Sequence, residues 1–140
     1  MHQIAILYPI IALAMLTFTV LLLIPYQRFR ALKLKQVVVD DFKLGESKNV
    51  PDSVSIPNRN YMNLLELPIL FYVVCLTMFV THTATPAVVV LAWGYVASRA
   101  AHSLVHLTYN NVLHRLVAFV VSNLFLLTLW VLLIISFQLK

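Results

Sequence analysis

The chain lacks most of what a soluble domain is built from. Only 11% of its 140 residues are charged, while 61% are hydrophobic. Long apolar runs with so little charge exclude an ordinary water-soluble fold. There are two glycines, and they form no phosphate-cradling loop pattern. There is one cysteine, Cys75, so an internal disulfide is excluded and the redox compartment is not readable from it. Acids are scarce. Asp40, Asp41, Glu46 and Asp52 lie in the one polar section, and Glu66 alone stands within an apolar run. A single intramembrane carboxylate offers no acid–base pair, and no G-x-S-x-G nucleophile motif is present. The length admits one domain.

What the chain does have is four apolar segments, at about residues 4–24, 61–80, 87–107 and 113–137. At ~1.5 Å of helical rise per residue, each is long enough to cross a hydrocarbon core of ~30 Å. The spacing therefore predicts an all-α integral membrane four-helix bundle over residues 1–140. The first segment lacks a basic n-region, has too long an apolar core and is followed by no small-x-small site, so it is not read as a cleaved leader. With no retention motif either, a bacterial inner membrane is permitted. Pro25 and Tyr26 mark the end of the first span. Residues 27–60 connect it to the second, and within them 36–58 read as a loop rich in turn residues, with Asp40-Asp41, Gly45, Asn49, Pro51-Asp52 and Pro57-Asn58. The later connections, Thr81–Thr85 and Thr108–Asn111, are short, so helices two to four are expected to pack antiparallel in sequence.

The net charge of +5 sets orientation and does not indicate nucleic acid as a partner. Arg28, Arg30, Lys33, Lys35, Lys43, Lys48 and Arg59 lie in or beside the first loop, Arg115 follows the Tyr109 turn, and Lys140 is alone on the opposite side. The positive-inside rule places the long loop in the cytoplasm and both termini outside.

The second span opens with a polar face. Arg59, Asn63 and Glu66 follow at steps of four and three, which on a helix is one side. An acid inside a span is costly and marks a functional site. Arg99, His102 and His106 share a face of the third helix by the same spacing. Glu66 and Arg99 both lie ~10 Å or less beneath the cytoplasmic interface by helical rise, so a Glu66–Arg99 ion pair is expected. Such a pair by itself can simply lock two helices. Arg115 enters the fourth helix at that level, and Arg28 and Arg30 close the first there. Several arginines against one carboxylate leave surplus positive charge, which calls for an anionic ligand. His102 and His106 at i, i+4 also open a metal or haem reading, although no acid stands between them.

The pattern Arg59-x-x-x-Asn63-x-x-Glu66-x-Pro68, then Arg99-x-x-His102, then Arg115 opening the fourth helix, resembles the MAPEG family, membrane-associated proteins in eicosanoid and glutathione metabolism, in a bacterial-type member. The likeness covers essentially the whole chain. It implies a homotrimer with glutathione as co-substrate, bound between subunits near the cytoplasmic side, and a lipophilic small-molecule substrate arriving from the membrane lipid. It implies that Arg59, Asn63 and Glu66 hold the polar ends of glutathione, with Glu66 on the ammonium. Arg28 or Arg30 then meets a carboxylate, Arg99 backs Glu66, His102 contributes from helix three, and Arg115 faces the sulfur as the catalytic residue. The implied activity is that of a microsomal-type glutathione transferase or peroxidase. Three positions depart from some catalytic members, which carry a basic residue just before the Asn, where this chain has Met62, and Ser and Tyr after the helix-four Arg, where it has Leu116 and Phe119. Tyr109 and His106 are the candidates to replace those donors. A non-catalytic lipid-binding or scaffold member and a His-based metal or haem protein are the alternatives.

Overall fold

The computed structural model describes residues 2–138, and every regular element among them is helical. A short helix α1 (His2–Ala5) leads through a turn at Ile6 into α2 (Leu7–Lys33). A single 3₁₀ turn, Val39–Phe42, interrupts the following loop. Then come α3 (Asp52–Leu65), α4 (Pro68–Val80), α5 (Pro86–Leu107) and α6 (Val112–Gln138). Four apolar helical stretches are long enough to cross a membrane: Gln3–Lys33, Asp52–Val80, Pro86–Leu107 and Val112–Gln138. The expected all-α membrane bundle is thus borne out. Lys140, on which part of the orientation argument rests, lies outside the described residues.

Two boundaries differ from the hydropathy reading. The first helix does not stop at Pro25 but runs through it to Lys33. Proline deletes one N–H and crowds one carbonyl, and the flanking turns carry the helix past it. The second helical stretch begins at Asp52, inside the section read as a loop. Pro51 and Pro57 look like turn residues in sequence, yet Pro51 is extended at the N-cap and Pro57 is accommodated within the helix. Val54, Pro57, Asn60 and Leu64 recur at steps of three, three and four and are buried, so packing on one face overrides the local turn signal.

The connections fix the ends of the bundle. At one end, Gln3 clamps the α4–α5 turn: its Nε2 donates to the His82 carbonyl at 3.1 Å and its Oε1 accepts from Ala84 N–H at 3.3 Å. At the other, Leu23 and Gln27 of α2, Ser53 and Pro57 of α3, and Leu107 and Thr108 at the end of α5 line one cavity. The helical stretches therefore alternate in direction, with α5 and α6 packed most extensively. The core holds Leu13, Val20, Leu64, Phe71, Met78, Tyr95 and Leu129, with Phe71 and Tyr95 stacked at a centroid distance of 4.4 Å. Large apolar side chains such as Phe18, Leu22, Leu124 and Leu127 are exposed, as suits a surface solvated by lipid.

The loop after α2 is held by a few polar contacts. Asp41 accepts from Val38 N–H at 2.8 Å and from the Ser47 hydroxyl at 2.7 Å. The Val38 N–H first, then Ser47, holds its carboxyl below the usual carboxylate range. Arg28 reaches the same loop, 3.4 Å from Glu46 and over the ring of Phe42 at 4.6 Å.

Gly94 sets the approach of α6 to α5. A Cβ there would lie 2.7 Å from the Phe125 ring. Small residues at such contacts let membrane helices pack closely. Gly94→Leu is expected to destabilise the bundle by about 1–3 kcal/mol through overpacking, measured as a lower thermal midpoint in detergent. An unchanged midpoint would show that Phe125 gives way freely.

Candidate functional site

The site begins with a break in a helix. α3 ends at Leu65, Glu66 leaves helical geometry with φ −81° and ψ −99°, and Pro68 opens α4. Proline has no N–H to continue the ladder, so the last carbonyls of α3 need other donors. One such donor comes from α5. Arg99 Nη2 donates to the Asn63 carbonyl at 2.6 Å and to Asn63 Oδ1 at 2.5 Å. In an unbroken helix the Asn63 carbonyl would close on the N–H of residue 67.

This replaces the expected Glu66–Arg99 ion pair. Among the described residues the ion pair within 4 Å is Arg28–Glu46. Glu66 is exposed and Arg99 is 1% exposed. The physical reason is the break itself, which presents Asn63 to α5 and turns the Glu66 side chain outward. The Glu66 carboxylate is left with no hydrogen bond or ion pair among the described residues.

A polar stripe runs down α5 from this point. Tyr95, Arg99, His102 and His106, at steps of four, three and four, are all buried. His102 Nδ1 lies 3.0 Å from the Arg115 carbonyl. A carbonyl only accepts, so Nδ1 carries the proton and Nε2 of the neutral ring is an acceptor. Nε2 is buried and makes no hydrogen bond. The ring of His106 meets that of His102 edge-on at 6.0 Å. Asn60 Oδ1 accepts from the Ser103 hydroxyl at 3.1 Å, and both residues are buried. This second α3–α5 tie was not among the sequence candidates. Its signal, Asn60 on the buried face of α3 and Ser103 beside His102, becomes readable only once α3 is known to be helical.

Arg115 stands in the first turn of α6, half-buried. Its Nη1 donates to Asn110 Oδ1 at 2.6 Å, and its Nε is buried without a partner. Asn63, His102, Val112, Arg115, Leu116 and Phe119 line one open pocket of about 240 Å³. Phe119 also lies under the Arg99 guanidinium, 5.9 Å from ring centroid to carbon. The pocket has a basic, hydrogen-bonding floor and an apolar wall, and Val112 and Leu116 of that wall are exposed.

The other candidates lie outside this pocket. Arg28 is engaged with Glu46 and Phe42. Arg30 is exposed and lines a separate cavity with Gln27, Gln36 and Ser53. Arg59 is exposed on α3. His106 is buried beyond His102. Tyr109 is exposed, and its hydroxyl meets His114 Nδ1 at 2.9 Å. Among the described residues no group of three His, Cys, Asp or Glu side chains gathers as metal ligands would.

Chemically, the pocket brings a guanidinium with no ion-pair partner among the described residues, an imidazole and an amide to the edge of a lipid-facing surface. No curated protein and no solved structure matches the chain. The model of the MAPEG family matches residues 6–135. That family includes glutathione-dependent transferases and peroxidases as well as non-catalytic members. With nearly its whole length matched and with four membrane-spanning helical stretches in sequence, the chain belongs to the MAPEG family.

Proposed function

We propose that the protein binds glutathione at the Asn63–His102–Arg115 pocket and activates its thiol for attack on lipophilic electrophiles or hydroperoxides. The observation that carries this is Arg115, a half-buried cation with no acidic partner within 4 Å among the described residues, lining a pocket whose wall is apolar. A guanidinium beside a thiol favours the thiolate and lowers a free-thiol pKa of ≈ 8.5. His102 lines the same pocket. Glu66, one turn past Asn63, exposed and with no ion pair within 4 Å among the described residues, suits the ammonium of glutathione, and Arg59 and Arg30, both exposed, suit its carboxylates. Arg28 must release Glu46 to do the same.

In the transferase reaction the thiol proton leaves to water, the thiolate forms a sulfur–carbon bond, and the leaving group departs with its electron pair. In the peroxidase reaction the thiolate attacks one peroxide oxygen. The O–O bond breaks, the alkoxide takes up a proton, and a second glutathione converts the sulfenic acid to the disulfide with loss of water. The proposed assembly is a homotrimer in which a neighbouring copy covers the open side of the pocket. The loop lies in the cytoplasm and both termini outside, since the basic residues cluster on that side. A second reading, ligand binding without turnover, is favoured by Leu116 and Phe119, which place no hydroxyl beside Arg115.

Calorimetry in detergent tests the binding, and conjugation of chlorodinitrobenzene and reduction of a lipid hydroperoxide test the turnover. Saturable glutathione binding is expected, weakened about tenfold or more in Glu66→Gln by loss of one charge-assisted contact of ~1.5–3 kcal/mol. Wild-type protein that binds no glutathione sinks the proposal. Binding with neither reaction selects the second reading.

A further inference from the structure

We propose that Asn110, a residue of the α5–α6 turn, is a positioning residue that holds the Arg115 guanidinium in place without cancelling its charge. For its consequence on the thiol this rests on the glutathione reading above, whereas the hold itself is a property of the free protein.

The turn divides its work between two adjacent asparagines. Asn111 caps α6: its Oδ1 accepts from Leu113 N–H at 3.0 Å and His114 N–H at 3.1 Å. Its carbonyl accepts from Arg115 N–H at 3.1 Å. Asn110 takes no part in that cap. Its backbone closes α5, with its N–H donating to the Val105 carbonyl at 2.8 Å, and its φ is +49°. A left-handed residue just past a helix end is a common stop, usually glycine or asparagine. Glycine would serve the turn. Asparagine adds one thing, the Oδ1 that accepts from Arg115 Nη1 at 2.6 Å.

Arg115 is therefore held at two points. His102 donates to its backbone carbonyl at 3.0 Å, and Asn110 holds one end of its guanidinium. A guanidinium has five N–H donors in a fixed fork. With Nη1 committed, one end of the fork is anchored, and the charge of the guanidinium remains for an anion in the pocket that Arg115 lines.

The identity of the holder matters electrostatically. Only glycine, asparagine and aspartate visit the left-handed region at little cost. Glycine leaves the guanidinium loose. Aspartate would pair with it and offset its charge. Asparagine is the member of the three that orients the cation while leaving its full charge for the ligand.

Both substitutions keep the backbone conformation, which makes the test clean. In full-length, ligand-free protein in detergent, Arg115 modification by phenylglyoxal is followed by peptide mass. Asn110→Gly is expected to raise that rate severalfold, and Asn110→Asp to leave it unchanged or slower. With glutathione bound, the ultraviolet thiolate absorbance is titrated against pH. Asn110→Asp is expected to move the midpoint up by about one unit, a tenfold loss of thiolate at pH values below both midpoints, and Asn110→Gly by less.

Wild-type behaviour of both variants in both measurements overturns the proposal. If Asn110→Gly fails to fold, Asn110→Asp decides: an upward midpoint supports the hold and an unchanged one overturns it. If wild type binds no glutathione while Asn110→Gly still exposes Arg115 to the reagent, the glutathione reading falls and the hold stands.

Discussion

Arg115→Ala is expected to lower the conjugation rate about 25-fold at pH 7 and about hundredfold below pH 6, with the ascending limb of the pH–rate profile displaced upward by about two units. On the proposed mechanism Arg115 stabilises the thiolate relative to the thiol. Two units of thiol pKa are ~2.7 kcal/mol of that preference, within the range that single oriented cations or donors supply to developing negative charge. The sign follows from the ionisation. A thiol whose pKa is depressed by Arg115 is ionised above the depressed value. Without Arg115 its pKa returns toward ≈ 8.5, so activity is lost at neutral pH and regained as pH rises past that value. The profile is the discriminating measurement. A loss of equal size at every pH would assign Arg115 to binding or folding, and an undiminished rate would remove it from the mechanism.

The second large effect is structural. Arg99 is among the largest fully buried side chains of the protein, and it ties α5 to the broken end of α3 through the Asn63 carbonyl and Oδ1. Arg99→Ala is expected to cost about 3 kcal/mol or more. Cutting a large buried side chain to alanine costs ~2–5 kcal/mol through the cavity alone. Leaving the Asn63 carbonyl at a helix break without a donor adds ~1–3 kcal/mol. Interhelical hydrogen bonds in membranes average only ~0.6 kcal/mol, so the cavity dominates the loss. Arg99→Met separates the two, because it restores most of the volume and none of the donors. It should recover the greater part of the thermal midpoint in detergent while still weakening glutathione binding through Asn63. If Arg99→Ala melts with wild type, the tie carries no stability.

The four spans were legible because a hydrocarbon core demands about twenty apolar residues in a row, and nothing else in a chain this size looks like that. The convergence of Asn63, Arg99, His102 and Arg115 on one level was legible too, because helical rise converts residue number into depth. Depth, however, says nothing of rotation about each helix axis or of where a helix breaks. Glu66 and Arg99 were matched by depth and charge, and the break before Pro68 turned one outward and gave the other to Asn63. The family resemblance offers Arg28 or Arg30 to a carboxylate of the ligand, and in the free protein the loop folds back to give Arg28 Glu46 and Phe42. Tyr109, read as a donor for the site, lies on the outer side of its turn against His114.

Asn110 shows the same division at the scale of one turn. The pair Asn110-Asn111 reads in sequence as a polar turn, and it is one. That one asparagine caps α6 while the other holds a guanidinium depends on a φ of +49° and on which way Arg115 leaves its helix. The helical class and the membrane follow from composition and the lengths of apolar runs, since the cost of exposing peptide groups to lipid allows few alternatives. The partners of each buried polar group were decided only by the tertiary structure. A hydrogen bond is settled within a few tenths of an ångström, and that precision comes from the packing of α3, α5 and α6 against one another.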